Sequence, residues 1–203
     1  MSTVVVVRKG DSAAIAGDTL TTSASLKMLS KYEKANDKIC RVNHSYIGFV
    51  GSAVTKLVFE SLFKHEKEKG KLKFDGQVSI FEAFRKIHPI LKEKYFLNPK
   101  DEEDDPYESS QLDALIANKH GIFGVYSLRE VFEYKRFWAI GSGQDFALGA
   151  MYAVYDQIDS AEEIARIGVT AGCEFDKNSS VPYTLYSLKL KNGTGESNGH
   201  EEA

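Results

Sequence analysis

The chain has 203 residues of globular composition, 42% of them hydrophobic, enough to bury the core of one domain. With 26 basic residues against 29 acidic ones, a net charge of −3, it lacks the basic face that nucleic acid or anionic lipid requires. Two cysteines, Cys40 and Cys173, are too few for a secreted disulfide framework and lack metal-ligand spacing, and no apolar run reaches the roughly 18 to 20 residues of a membrane span, so a cytoplasmic protein is expected.

The opening STVVVVRKGDSAAIAGD, residues 2–18, reads as a β-hairpin, because Lys9-Gly10-Asp11-Ser12 is turn chemistry between two apolar runs. If the turn centres on Gly10, antiparallel partners sum to 20 and Ser2 faces Asp18; a two-residue Gly10-Asp11 turn sums to 21 and pairs Thr3 with Asp18. In either register the carboxylate returns to within about 5 Å, Cβ to Cβ, of the chain start. The run Val4 to Val7 is too short for a signal peptide and is followed at once by Arg8-Lys9-Gly10-Asp11. Removal of Met1, leaving Ser2 first, is therefore expected.

KICRVNHSYIGFVGSA, residues 38–53, is β-rich and broken by Gly48 and Gly51, so strands are predicted to run into a helix. That helix carries Val54, Leu57, Val58 and Leu62 at helical spacing and fades into a charged stretch. A second helix is predicted to open with a capping box at Ser79-Ile80-Phe81-Glu82 and to bury Ile80, Phe84, Ile87 and Leu91. The acidic, proline-flanked segment 98–111 reads as a solvated loop. Strands resume at LDALIAN, IFGVYS and EVFEYKRFWAIGSG. A helix from Asp145 to Tyr155, burying Phe146, Met151 and Val154, and another from Ser160 to Ala171 with a capping box at Ser160–Glu163 follow. A last strand, PYTLYSLKL, precedes a polar tail over residues 190–203 that is too rich in Gly, Asn and Glu to pack.

Hairpin-linked strands with helices in pairs oppose a βαβ alternation and predict an α+β layered sandwich, two antiparallel sheets covered by helices, over residues 2–189.

Several residues carry chemistry. A chain-terminal Ser2 would hold nucleophile and base on one residue, since an α-amine with an ordinary pKa of about 7.7 to 8 can take the hydroxyl proton near neutral pH. Asp18, otherwise a plain turn carboxylate, gains meaning from its place across the hairpin. A lysine beside the hydroxyl would lower the pKa of hydroxyl and amine, with Asp18 holding it charged and oriented. Lys38, at the entry of the strand KICRV, is the natural choice, with Lys34 and Lys31 as rivals. Gly48 and Gly51 stand at a strand-to-helix junction, where a backbone N–H can face an oxyanion as readily as it can serve a tight turn. IGSGQDFA lacks the third glycine of a dinucleotide fingerprint and reads as a turn presenting Ser142. The five histidines show no paired spacing, so neither a zinc site nor a His-based triad is expected.

Together these residues resemble the N-terminal nucleophile hydrolases, specifically proteasome β-subunits, the HslV peptidase and their bacterial homologues, over roughly residues 2–188. In that family the nucleophile precedes the first Asp by sixteen positions, which from Asp18 selects Ser2 rather than Thr3. The resemblance implies a four-layer αββα fold, Lys38 as the paired lysine, Gly51 as oxyanion donor, Ser142 as a further catalytic residue, and Thr22 as a holder of substrate backbone. It also implies a peptidase that cleaves unfolded polypeptides inside homo-oligomeric stacked rings, fed in some members by an ATP-dependent unfoldase, with no cofactor or metal. Three departures stand out. Ser replaces the usual Thr and lacks the methyl that fixes the hydroxyl rotamer. The interval from Asp18 to Lys38 is about four residues longer, so an ungapped count would choose Lys34. Where the family has a second supporting Asp, the chain reads AGCEFD, leaving Glu174 or Asp176. A non-catalytic ring scaffold with Met1 retained, or a stand-alone amidohydrolase, are the alternatives.

Overall fold

A computed structural model describes residues 2–65, 72–98, 108–110 and 112–191. Met1, most of the acidic segment and residues 192–203 of the polar tail lie outside the described residues, as does much of the charged end of the first predicted helix.

Four layers stack on one another. The hairpin β1 (Val4–Lys9) and β2 (Ser12–Asp18) forms the middle of a four-stranded sheet, flanked by β10 (Phe137–Ile140) and β11 (Tyr183–Lys189). A five-stranded sheet runs in the order β5 (Ile39–Val42), β6 (Ser45–Val50), β7 (Asp113–Asn118), β8 (Gly121–Val125) and β9 (Val131–Tyr134). The helices α1 (Ala53–His65) and α2 (Gln77–Lys94) cover one outer face, and α3 (Gln144–Val154) and α4 (Ala161–Phe175) the other. Every strand pairing is antiparallel.

The Val strand takes its composition from this stacking. Val5 and Val7 pack on α3 and α4 through Met151, Ile164 and Val169, whereas Val4 and Val6 meet Ile39, Leu115 and Ile122 of the other sheet. Both faces of β1 are therefore dry, and a continuous apolar run replaces the alternation of a half-exposed strand. The hairpin register is the second of the two expected: Val4 pairs with Gly17 and Lys9 with Ser12, leaving Gly10 (φ +57°) and Asp11 as a two-residue turn.

Five details depart from the sequence reading. The predicted strand EVFEYKRFWAI is two strands in different sheets, turning at Lys135-Arg136, where Arg136 pairs with Asp156 at 2.6 Å and lies over the Tyr155 ring. On α1 the buried stripe is Thr55, Val58, Phe59, Leu62 and Phe63, while Val54 and Leu57 are exposed, because two phenylalanines outweigh Val and Leu in choosing the inward face. Ser79 lies inside α2, which begins two residues earlier at Gln77; its hydroxyl donates back to the Gly76 carbonyl instead of capping. Phe146 is exposed and rests against Phe175, since Ala147 and Met151 supply the buried face of α3. A small hairpin of β3 (Thr21–Ser23) and β4 (Leu26–Met28) follows β2; its three-residue strands are too short and exposed to leave an apolar signal.

The N-cap half of the predicted capping box of α4 forms: Ser160 accepts the Glu163 N–H at 3.2 Å, and the Glu163 carboxylate accepts from Arg166 at 3.3 Å. The helix continues four residues past the predicted end, which carries Gly172 to Thr3 and sets Asp176 just beyond the last turn.

Candidate active site

The hairpin ladder extends past its last strand pair to the chain start. The Thr3 N–H donates to Asp18 Oδ1 at 2.9 Å, and the Asp18 N–H donates to the Thr3 carbonyl at 3.1 Å. From the other side the Gly143 N–H reaches the Ser2 carbonyl at 3.3 Å. Gly141, at φ +95°, makes that approach feasible, because a Cβ there would lie 2.0 Å from the Ser2 carbonyl oxygen. Ser2 is thus clamped by its backbone between β2 and the turn that opens α3.

The two candidate hydroxyls face different surroundings. Thr3 is fully buried, its Oγ1 2.7 Å from Ser179 Oγ and its methyl against Gly172. Ser2, though only 4% exposed, instead lines a cleft together with Thr22, Lys38 and Gly51.

Asp18 sits at the back of this cleft with no exposed surface, and its carboxylate is saturated. Oδ1 takes Thr3 N–H and, at 2.6 Å, Lys38 Nζ; Oδ2 takes the N–H groups of Leu20 at 2.9 Å and Ser180 at 3.4 Å. Lys38, whose side chain is 15% exposed, is the lysine the fold brings here. Lys34 and Lys31 are exposed, the latter over the Tyr32 ring. Burial lowers the Lys38 pKa below its ordinary 10.5, and attraction to Asp18 offsets only part of that. Cys173 feels the same pair, but burial, reinforced by Asp18, pushes its thiol up to about 12, which leaves it protonated and a poor rival nucleophile. Cys40 is pushed up to about 12 as well, by burial first.

Between Glu174 and Asp176 the geometry is decisive: Glu174 is exposed, whereas Asp176 is the hub of a hydroxyl network. Asp176 Oδ2 accepts Ser142 Oγ and Ser179 Oγ, each at 2.7 Å, and Oδ1 accepts the Asn178 N–H at 3.2 Å. A hydroxyl has one proton, so with the Ser179 proton on Asp176 the Thr3 hydroxyl must donate to Ser179. The resulting chain, Thr3 to Ser179 to Asp176 with Ser142 joining from α3's end, ties α4 to the chain start. Ser142 therefore acts at one remove from the cleft. Burial pushes the Asp176 pKa up, but the hydrogen bonds from Ser142, Ser179 and Asn178 outweigh it and hold the carboxyl below its ordinary 3.8. A depressed folded value means stability that is present above 3.8 and is lost as pH falls through the folded value. Asp176→Asn is expected to lose about 1.5–3 kcal/mol at neutral pH. The gap in melting temperature to the unaltered protein should close below pH 3.8, as checked by thermal melts across pH.

Gly51, at φ +99°, falls between β6 and α1, beside a helix N-terminus in the same cleft, and Thr22 reaches the cleft from β3. Ser179 is a participant the sequence reading did not single out, and Thr3 entered it only as the partner of Asp18 in one register and the rival of Ser2; a loop serine gives no pattern of its own. Among the described residues no group of three or more His, Cys, Asp or Glu is placed to hold a metal ion. What the arrangement offers is a hydroxyl, an ammonium held by a buried carboxylate, and backbone N–H groups around one open space.

The family model for the proteasome subunit matches residues 1–180. Among solved structures, BPH from Thiobacillus denitrificans is 41% identical with a TM-score of 0.86, the match covering 94% of this chain and 100% of that one. BPH in complex with epoxomicin matches to the same degree, 41% and 0.86 over the same 94% and 100%. Eukaryotic HslV from Trypanosoma brucei, 20% identical with a TM-score of 0.63 over 92% of this chain and 99% of that one, shares the fold.

Proposed function

The chain belongs to the proteasome-subunit family, and we propose that it is an N-terminal nucleophile endopeptidase whose attacking group is Ser2 Oγ. The observation that carries this is the single cleft lined by Ser2, Lys38 and Gly51, with Lys38 held 2.6 Å from the buried Asp18. Once Met1 is removed, the α-amine of Ser2 takes the hydroxyl proton, directly or through a water, as Oγ bonds to the substrate carbonyl carbon. The Lys38 ammonium favours the deprotonated forms of both amine and hydroxyl by its charge. The Gly51 N–H faces the oxygen on which negative charge develops, a donor of the kind typically worth about 2.7–4 kcal/mol of barrier. The C–N bond then breaks with return of the proton to the leaving amine, and water, deprotonated by the same α-amine, releases the acyl group from Ser2. Thr22 holds the substrate backbone, and Ser142 with Asp176 keeps the chain start in place. No metal or cofactor enters these steps.

In this reading the subunit works in homo-oligomeric stacked rings on unfolded polypeptides, in the cytoplasm, with an ATP-dependent unfoldase as an optional feeder. Intact mass of the purified protein before and after incubation with epoxomicin tests it, alongside size-exclusion chromatography. The expected result is loss of Met1, one adduct on Ser2, and elution as a large assembly. A retained Met1 with no adduct would favour a ring scaffold, an adduct on another residue would move the nucleophile, and a monomer or dimer would favour a stand-alone amidohydrolase.

A further inference from the structure

The cleft beside Ser2 owes one wall to Glu33, Ala35, Asn36 and Asp37, which fall in the interval from Asp18 to Lys38. This wall is braced from within: the Asn36 side-chain amide donates to the Ser30 carbonyl at 3.2 Å and to the Glu33 carbonyl at 3.0 Å. Glu33 is tied to β3 by the Thr21 hydroxyl, which donates to Oε2 at 3.0 Å. Among the described residues no lysine or arginine pairs with Glu33, and its Oε1 has no protein donor.

Four charged side chains line the cleft, Glu33, Asp37, Lys38 and Lys56. Both ammonium groups have carboxylate partners: Lys38 has Asp18 at 2.6 Å, and Lys56 has Glu60 at 3.4 Å while also donating to the Asp37 carbonyl. Both cleft carboxylates are served by neutral donors. Asp37 is saturated, with Thr184 Oγ1 and the Ile39 N–H each at 2.8 Å on Oδ1 and the Tyr186 hydroxyl at 2.5 Å on Oδ2. The four lining groups with Asp18 and Glu60 are thus four carboxylates against two ammoniums, a side-chain charge of −2 before the α-amine of Ser2 is counted. Lys31 and Lys34 of the same segment are exposed and do not line the cleft.

From this we infer that Glu33 is a specificity-determining residue that selects substrates carrying a lysine or arginine side chain at the residue whose carbonyl Ser2 attacks. The inference rests on the peptidase reading of that cleft. A half-buried carboxylate with an unused oxygen gives a cation a direct partner in a medium less screening than bulk water, and Arg can engage it through its fork of N–H groups. An acidic side chain in the same place meets the Glu33 carboxylate in a cleft whose two lining ammoniums, Lys38 and Lys56, are already paired, so discrimination comes from both signs.

The test uses matched peptide amides that differ only in that residue, Arg, Leu or Glu, with kcat/KM measured for the unaltered protein, Glu33→Gln and Glu33→Lys. The unaltered protein should prefer Arg over Glu by about tenfold or more, decreasing as salt is raised. Glu33→Gln, which keeps an acceptor for Thr21, should lower the Arg-to-Leu ratio about tenfold, and Glu33→Lys should carry the preference towards Glu. A merely structural role for Glu33 would change all three peptides alike. A flat profile, or an Arg preference that survives both substitutions, overturns the inference. If no peptide is turned over, the same three peptides carrying a fluorophore are titrated against Ser2→Ala, with and without Glu33→Gln, by anisotropy. Arg-selective binding lost with Glu33 would uphold the inference while sinking the peptidase reading, and unselective binding would sink both.

Discussion

Ser2→Ala is expected to abolish peptide hydrolysis, with turnover at least about 10⁴-fold below the unaltered protein, and to leave the melting temperature close to unchanged. The two halves of that result come from different atoms. The clamp on residue 2 is made by its carbonyl, which accepts the Gly143 N–H at 3.3 Å, and by the neighbouring Thr3 amide on Asp18; alanine keeps both. What alanine removes is the one hydroxyl at the chain start that lines the cleft with Lys38 and Gly51. Thr3→Ala should invert the pattern. Its hydroxyl is the first donor in the chain to Ser179 and Asp176, and its methyl fills the space against Gly172, so this variant loses stability by about 2 kcal/mol. Its loss of turnover should be far smaller than that of Ser2→Ala. Peptide kinetics and thermal melts on the two variants, made in parallel, check the assignment; a Ser2→Ala protein that still turns over at a tenth of the normal rate would rule Ser2 out as nucleophile.

The parts of this site that were legible in the sequence are those fixed by local geometry. A two-residue turn forces Asp18 back to the chain start whatever the tertiary structure does, and the β-rich context of KICRV distinguishes Lys38 from Lys34. The order of paired strands and paired helices was enough for the layers. What stayed hidden depends on long-range packing. Glu174 and Asp176 differ by two residues at a helix end, where each step turns the side chain by about 100°, and only the docking of α4 on β1 and β2 sends Asp176 to Ser142 and leaves Glu174 in solvent. The split of one apolar run between β9 and β10 is likewise a property of two sheets meeting, anchored by Arg136 on Asp156. Phe146 looked like core because it is large and apolar, but α3 needs only Ala147 and Met151 on its inner face.

Lys38→Met separates the electrostatic role of the lysine from its structural one. Methionine keeps an unbranched stem and removes the ammonium, so Asp18, with no exposed surface, loses the one cation paired with it among the described residues while keeping the N–H donors of Thr3, Leu20 and Ser180. Breaking a buried pair from one side is expected to destabilise by about 3–5 kcal/mol, because the remaining charge stays desolvated. Turnover should fall by about 10³-fold or more, the ammonium being a charge held close to the reacting hydroxyl in a sheltered cleft. Stability and activity then part company in the double variant Asp18→Asn/Lys38→Met. With neither charge present, part of the lost stability returns, limited because an amide has one accepting oxygen for the Thr3, Leu20 and Ser180 N–H groups that used two, yet turnover stays at the level of Lys38→Met. A pH series adds an independent reading. In the unaltered protein burial holds the Lys38 value below its ordinary 10.5, with attraction to Asp18 opposing it, so activity should fall on the alkaline side as the ammonium is lost, and that trend should vanish in Lys38→Met. Activity recovered by the double variant along with its stability would mean that Lys38 serves the fold and not the chemistry.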